Sequence, residues 1–132
     1  MKIKYYLLAI TLGLIAMPAK AEVTIWNWAY VIEGTDELIS GNGSSIFQID
    51  GNNQTGPMYP SDKVTLRLKL SIDGTNVSGT LSPEEPKGET IQFTGLLSFE
   101  PIQGKKECTA IIKLSNGVNY VVLRRLSKSC KP

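Results

Sequence analysis

Residues 64–81 decide the fold, and they read VTLRLKLSIDGTNVSGTL. Every second residue from 64 to 72 is apolar, which is the period of a strand with one buried face. Asp73-Gly74 follows, a pair favoured in two-residue type I′ turns, and apolar residues alternate with polar ones again over 77–81. The stretch therefore predicts a β-hairpin.

The predicted turn also determines which side chains share a face. If Ile72 pairs with Thr75, then Leu70 lies opposite Val77, and the apolar residues of both strands point the same way. The hydrophobic pattern and the turn residues thus indicate the same hairpin, with one apolar face.

Strand patterns continue on the C-terminal side of this hairpin. Residues 91–99 alternate, with their apolar members on one face, and Asn116-Gly117 separates two further strands as a second hairpin. The second hairpin is less regular, because Ile111 and Ile112 place apolar side chains on both faces. We expect such a strand to be covered on both sides or to pack against the C-terminal tail.

The N-terminal part of the chain has weaker patterns. Residues 23–32 are rich in β-branched and aromatic side chains and predict a strand. Residues 37–50 are interpreted as a short hairpin around Gly41-Asn42-Gly43, and the polar residues 51–61 as a long loop. No stretch has helical periodicity long enough for a helix.

Together these segments predict an all-β domain of six to eight antiparallel strands joined mostly by short turns. Such a chain folds as a small up-and-down barrel or as a compact sandwich. An N-terminal strand with tryptophan, followed by a meander of hairpins, is similar in layout to the avidin and lipocalin barrels. The lipocalin G-x-W signature is absent, because Trp26 follows Thr24-Ile25.

Residues 1–21 have the three parts of a secretory signal peptide. Lys2 and Lys4 precede an apolar run, and Ala19 and Ala21 give the A-x-A pattern of a cleavage site. The apolar run is shorter than the roughly 20 residues that span a bilayer, so we expect no membrane anchor after cleavage. The predicted mature protein is a single domain, residues 22–132, exported to the periplasm or secreted.

Both cysteines, Cys108 and Cys130, lie in the mature chain. An exported protein of this size with two cysteines is expected to join them in one disulfide, because its compartment is oxidising. A loop of this length contributes about 3 kcal/mol of stability on the chain-entropy account. The spacing is unlike the C-x-x-C of redox-active pairs, which favours a structural role.

The charge balance excludes one class of partner. The full chain has 14 basic and 12 acidic residues, and the leader contains three of the basic ones, so the mature chain carries a net charge of −1. This balance argues against binding nucleic acid through its phosphates. Acidic residues dominate the start of the mature chain, and basic residues dominate its end after residue 101.

The residue inventory also argues against catalysis. The chain has no histidine, which removes the commonest general base and the commonest metal ligand. Residues 50–56 place oxygen ligands at alternate positions, but Thr55 stands where a calcium loop of the EF-hand type needs glycine, and no glutamate closes the loop at Ser61. We interpret them as a turn, and we expect no enzyme activity, no metal and no cofactor.

Two groups of residues are candidates for contact with a ligand or a partner. The first is Trp26, Trp28 and Tyr30, which share one face of a strand and either stack on a ligand or fill the interior of a barrel, the second being favoured. The second is Asp36, Glu37 and Asp50, acidic residues in predicted loops. If these loops gather at one rim, they steer a cationic partner toward it.

The leading hypothesis is a non-catalytic exported binding protein. Export, small size, a disulfide-linked β scaffold and the lack of a catalytic set favour a protein that occupies and blocks a protein partner, as a hydrolase inhibitor or an immunity protein does. One alternative is a small-ligand carrier with the aromatic stripe in a barrel mouth. Another is a structural subunit of a surface assembly, which would need an unpaired edge strand or a donor-strand peptide.

Overall fold

The structure, a computed structural model, describes residues 22–33, 38–61, 63–85 and 87–132. In these ranges eight antiparallel strands close into a barrel, each strand pairing with the next along the chain and the last with the first. The all-β prediction is confirmed, and the architecture is the barrel and not the sandwich. The strands are β1 (Glu22–Glu33), β2 (Leu38–Asp50), β3 (Asn53–Ser61), β4 (Val64–Asp73), β5 (Asn76–Glu85), β6 (Ile91–Pro101), β7 (Cys108–Ser115) and β8 (Tyr120–Ser127).

Some of the predictions concern parts of the chain for which no structure is given. The signal peptide predicted over residues 1–21 lies outside the described residues, and so do Asp36 and Glu37. Within the described ranges, no helix is long and apolar enough to cross a membrane.

The hairpin predicted over residues 64–81 is present as β4 and β5, but its register differs from the prediction by two residues. Ile72 pairs with Val77, and the two-residue loop is Gly74-Thr75, where Asp73-Gly74 was expected. Only Gly74 in this loop has a positive φ, of 62°, which is typical of a type II′ turn. The type I′ prediction was therefore wrong. The shared apolar face is confirmed, because a shift of two residues leaves every side chain on its own face.

The C-terminal strands also match the predicted pattern. The even alternation of β6 places Phe93 inside, and β7 and β8 form the second hairpin. Its loop has four residues and starts at Asn116, where the two residues Asn116-Gly117 were expected. The Asn116 side chain accepts hydrogen bonds from the backbone N–H groups of Val118 and Asn119, which holds this loop closed. Ile111 and Ile112 are both buried although they lie on opposite faces of β7, so this strand is covered on both sides as expected.

Two predictions for the N-terminal part were wrong. No turn occurs at Gly41-Asn42-Gly43, because β2 runs without a break from Leu38 to Asp50. Gly41 and Gly43 lie in the middle of this strand, directly under the Tyr30 and Trp28 rings of β1. The rings leave no room for a side chain there, because a Cβ on Gly43 would stand 2.6 Å from the Trp28 ring. Residues 53–61, expected in a loop, form β3.

The barrel closes unevenly around β1 and β2. β1 pairs with β2 along all twelve of its residues, but it pairs with β8 only over residues 27–31. β2 pairs with β3 only over residues 48–50. Pro57 and Pro60 of β3 have no N–H group, which limits the backbone hydrogen bonds that this strand can make. The β1–β2 hairpin is thus joined to the rest of the barrel by two short seams.

The interior is a single packed core that receives side chains from all eight strands. Its members are Trp26, Trp28, Tyr30, Phe47, Met58, Leu66, Leu68, Leu70, Val77, Leu81, Phe93, Ala110, Ile112, Leu114, Val121 and Leu123. Burial of this much apolar surface is the main source of stability in a domain of this size.

The expected disulfide joins Cys108, the first residue of β7, to Cys130, beyond the end of β8. It ties the C-terminal tail to one end of the barrel, which we call the disulfide end. The start of β1 and the β2–β3, β4–β5 and β6–β7 connections lie at this same end.

Candidate functional site

The aromatic stripe of β1 points into the barrel. Trp26, Trp28 and Tyr30 share one face, as their alternation predicts, and each is at most 3% exposed. Trp28 donates a hydrogen bond from Nε1 to Ser45 Oγ at 3.0 Å, and its ring centroid is 6.1 Å from that of Tyr30. Burial raises the pKa of Tyr30, because desolvation disfavours the phenolate. All three therefore belong to the core, and Trp26 also borders a cavity.

The predicted acidic residues cannot all be placed. Asp36 and Glu37 lie outside the described residues. Leu38, which follows Glu37 in the chain, begins β2, and Asp50 ends it, so roughly 40 Å of strand separates them at about 3.3 Å per residue. Asp50 lies in a polar depression on the outer surface.

That depression, which we call the polar groove, has a volume of about 890 Å³. It lies on the outer face of the barrel, across strands β2 to β6. Two cross-strand rows of small polar side chains line it, and Lys69 and Asp50 are its charged members. Within the described ranges, no three His, Cys, Asp or Glu side chains come together as a metal site, here or elsewhere. The rows are Thr55, Lys69, Thr80 and Gln92 in one and Ser71, Ser78 and Thr94 in the other.

The outer face of β1 and its neighbours has the opposite character. Ile25 and Ile46 pair across β1 and β2, and each is 58% exposed. Leu126, which is 62% exposed, lies two residues beyond the last β8 residue that pairs with β1. We call this outer face the apolar wall; its members are Val23, Ile25, Ala29 and Val31 of β1, Tyr120, Val122 and Leu126 of β8, and Ile46 of β2.

Polar groups on the apolar wall are few. Asn27 interrupts the outward apolar residues of β1, and its side-chain oxygen accepts a hydrogen bond from Ser44 Oγ. Arg124, the β8 residue that pairs with Asn27, is an exposed cation in the middle of the wall. Among the described residues, no carboxylate lies within ion-pair distance of Arg124.

A cavity of about 320 Å³ lies at the disulfide end, which we call the mouth cavity. Trp26, Leu97 and Phe99 form part of its apolar lining, and Arg125 and Lys131 are its cations. The Arg125 guanidinium carbon lies 5.1 Å from the centre of a Trp26 ring, and Arg125 Nε is buried without a hydrogen-bond partner. Burial lowers the pKa of Arg125, because desolvation disfavours its charged form.

Sequence reasoning did not identify the apolar wall or Arg125 as candidates, although signals for both were present. Residues 23–31 are apolar on both faces of the strand, and in a single-layer barrel one of those faces must point outward. Arg125 lies two residues after Leu123 and therefore on the same, inward face of β8, so this cation points toward the barrel interior.

Comparison with known proteins adds a similarity of fold. No protein-family model matches the chain, and no curated protein matches it. A solved structure, HpuA from Kingella denitrificans in complex with human haemoglobin, has a similar fold, with a TM-score of 0.50 and 13% sequence identity over 89% of this chain. The match covers 47% of HpuA, so this chain spans about half the length of that protein.

Proposed function

We propose that this protein is an exported, non-catalytic binding protein that docks another protein on its apolar wall. The observation that carries the proposal is the wall itself. Ile25, Ile46 and Leu126 are each more than half exposed on three neighbouring strands: Ile25 pairs with Ile46, and Leu126 lies two residues beyond the β1–β8 pairing. Soluble proteins rarely leave large apolar patches in contact with water, and such patches commonly mark interaction sites.

The wall also defines the chemistry of the partner. Most of its outward side chains are aliphatic, so the partner offers an apolar surface to them. Arg124 lies among them without a carboxylate neighbour in the described ranges. The partner therefore places a carboxylate opposite Arg124, since a charge-assisted hydrogen bond offsets the desolvation of that guanidinium.

This surface replaces the acidic rim as the proposed contact. A cationic partner was expected from Asp36, Glu37 and Asp50. Asp50 lies in the polar groove, and the other two acidic residues lie outside the described ranges. The proposal therefore rests on the wall, where Arg124 calls for a partner of the opposite sign.

The fold neighbour supports a protein as the class of partner. HpuA was solved in complex with human haemoglobin, so a barrel of similar fold occurs in a protein that binds another protein. The likeness is one of fold at 13% identity, and the proposal takes from it the class of partner and not its identity.

The remaining parts of the proposal concern activity and compartment. The chain has no histidine, and both cysteines are joined in the disulfide, so few nucleophile–base pairs are left for catalysis. A disulfide persists in an oxidising compartment, which supports a periplasmic or secreted protein together with the predicted leader. A compact barrel docked by one face would act by covering its partner's surface, as an inhibitor or immunity-type protein does.

A capture experiment with three matched proteins tests the proposal. Mature protein, Ile25→Glu and Ser78→Glu are immobilised and exposed to an envelope and medium extract of the producing cells. Both substitutions add one carboxylate to an exposed strand position, one on the wall and one in the polar groove. We expect a protein that the mature chain and Ser78→Glu retain and Ile25→Glu loses.

Three results would count against the proposal. The first is equal retention by all three proteins, and the second is loss by Ser78→Glu alone. The third is a concentration-dependent dimer of the mature protein that Ile25→Glu converts to monomer, because a second copy of the chain would then be the occupant of the wall.

A further inference from the structure

The mouth cavity contains a cation whose hydrogen-bonding groups are largely unused. Arg125 points into the barrel end, and its Nε is buried with no hydrogen-bond partner. Its one described hydrogen bond, from Nη1 to the backbone oxygen of Leu126, is long at 3.4 Å. No carboxylate of the described residues lies within 4.0 Å of the guanidinium. Arg125 is half-buried, and buried polar atoms are normally hydrogen-bonded, so its buried and unpaired Nε needs an explanation.

The Arg125 guanidinium is held in place without being neutralised. It lies over the Trp26 ring at 5.1 Å, a cation–π distance, and Trp26 Nε1 in turn donates to Gln54 Oε1 at 2.7 Å. A ring holds a guanidinium but adds no negative charge. Because Trp26 occupies the Gln54 carbonyl, the group that Gln54 can still offer to a ligand is its N–H donor.

The rest of the cavity lining combines apolar groups with positive charge. Ile72, Leu97 and Phe99 lie along it, and Lys131 adds a second cation. No Asp or Glu side chain is among the lining residues; the carboxylate there is the terminal one of Pro132, which makes no ion pair with Arg125. The volume of about 320 Å³ is at the lower end of the range of roughly 300–1,000 Å³ for ligand pockets. A small ligand with an apolar body and a negative head fits this lining.

We propose that the mouth cavity binds a small organic carboxylate, with its apolar body against Ile72, Leu97 and Phe99 and its head on Arg125. A carboxylate accepts two parallel hydrogen bonds from the planar fork of a guanidinium, and its single negative charge balances the single positive charge of Arg125. The Gln54 N–H group and Lys131 lie along the same cavity and add donors for the head.

This site does not depend on the protein partner. The mouth cavity lies at the disulfide end and is lined by inward side chains such as Trp26, whereas the apolar wall consists of outward ones. Failure of one proposal therefore leaves the other intact, and wall and cavity variants separate them experimentally.

The test is a titration of the mature protein with octanoate, and with octanamide as the neutral ligand of matched size. We follow heat by calorimetry and the Trp26 indole N–H by NMR. The proposal predicts that octanoate binds and shifts this signal, and that octanamide binds at least about tenfold more weakly, which is typical of a lost charge-assisted hydrogen bond.

Neighbouring arginines on β8 provide matched variants. Arg125→Gln should weaken octanoate binding at least about tenfold, Arg125→Lys should recover part of the loss, and exposed Arg124→Gln should bind as the unchanged protein does. Ile25→Glu should also bind octanoate normally, because it alters only the wall.

Several outcomes would overturn the proposal. These are octanamide binding within about threefold of octanoate, absence of octanoate binding, equal weakening by Arg124→Gln and Arg125→Gln, or loss of octanoate binding in Ile25→Glu. If Arg125→Gln does not fold, the ratio of octanoate to octanamide affinity on the unchanged protein still decides the question.

Discussion

The two outer sides of this barrel are built from strands of the same kind and present opposite chemistry. On the inside, β1 and β4 both supply large apolar side chains to one core. On the outside, β4 presents Arg67, Lys69 and Ser71, whereas β1 presents Val23, Ile25 and Val31. Folding requires only the inward face to be apolar, so the apolar outward face of β1 is not explained by the fold. This difference is the reason for proposing the wall, and not the groove side, as the binding face.

The packing over two glycines, Gly43 of the wall side and Gly79 of the groove side, differs as well. Behind the wall, aromatic rings lie on glycines of the neighbouring strand, with Trp28 over Gly43 and Tyr30 over Gly41. On the groove side, Gly79 of β5 meets a methyl carbon of Leu114, at 3.1 Å from where its Cβ would be. The rigid Trp28 ring leaves Gly43 little room for a side chain, whereas Leu114 beside Gly79 can change its rotamer. Gly56 of β3 lies under the Phe47 ring and resembles Gly43 in this respect.

The largest expected effect follows from that packing. Gly43→Ala puts a methyl group 2.6 Å from the buried Trp28 ring, so we expect it to lower the free energy of unfolding by about 1–3 kcal/mol. Gly79→Ala should stay within about 1 kcal/mol of the unchanged protein, because the side chain it meets is flexible. Urea unfolding followed by tryptophan fluorescence measures both. Equal destabilisation would show that the two sides do not differ in this way.

The next largest effect is expected on partner affinity, when the charge of one cation on each side is reversed. Arg124→Glu on the wall should weaken binding of the captured partner about tenfold or more, because it opposes the partner's carboxylate. Lys69→Glu in the groove should change the affinity less than about twofold. Titration of the partner against each variant by biolayer interferometry checks this, and a larger loss in Lys69→Glu would move the contact to the groove.

Salt should have a smaller effect. Salt screens the attraction between charges, and the proposed interface contains a single charge pair among apolar contacts. Between 50 mM and 500 mM salt we therefore expect the partner affinity to fall by about threefold at most. Binding through gathered acidic loops would fall much more steeply. A steep loss of affinity with salt would therefore favour the acidic rim over the wall.

The smallest effect concerns alkaline pH and the buried phenol behind the wall. Because burial raises the pKa of Tyr30, the fold favours its neutral form. The buried, neutral Tyr30 therefore contributes its full stabilisation below the pKa of an unfolded tyrosine, about 10. That stabilisation is lost as the pH rises through the raised pKa of the folded state. Tyr30→Phe should lose less stability than the unchanged protein between pH 9 and pH 11 in urea unfolding, and equal losses would contradict this.

Local patterns in the sequence predicted β4 and β5 better than β2 and β3. The alternation over residues 64–72 predicts both the strand and its inward face, because each depends only on neighbours in the chain. The disulfide followed from the number of cysteines and the expected compartment.

The segments that were predicted wrongly, in β2 and β3, depend on partners distant in sequence. Gly41 and Gly43 read as a turn, because their strand position is explained only by Tyr30 and Trp28 across the β1–β2 register. Pro57 and Pro60 read as loop residues, and they are accommodated because β3 makes only a short pairing with β2. The mouth cavity was hidden for the same reason, since it joins Trp26 of the first strand to Arg125 of the last.

Site-specific photo-crosslinking in the producing cells tests the central claim most directly. A photoreactive phenylalanine analogue replaces Ile25 on the wall in one strain and Ser78 in the polar groove in another, both exposed strand positions. If the apolar wall is the docking face, illumination joins the protein to a second polypeptide from position 25 and not from position 78. Adducts from position 78 alone, or none from either position, would contradict the account.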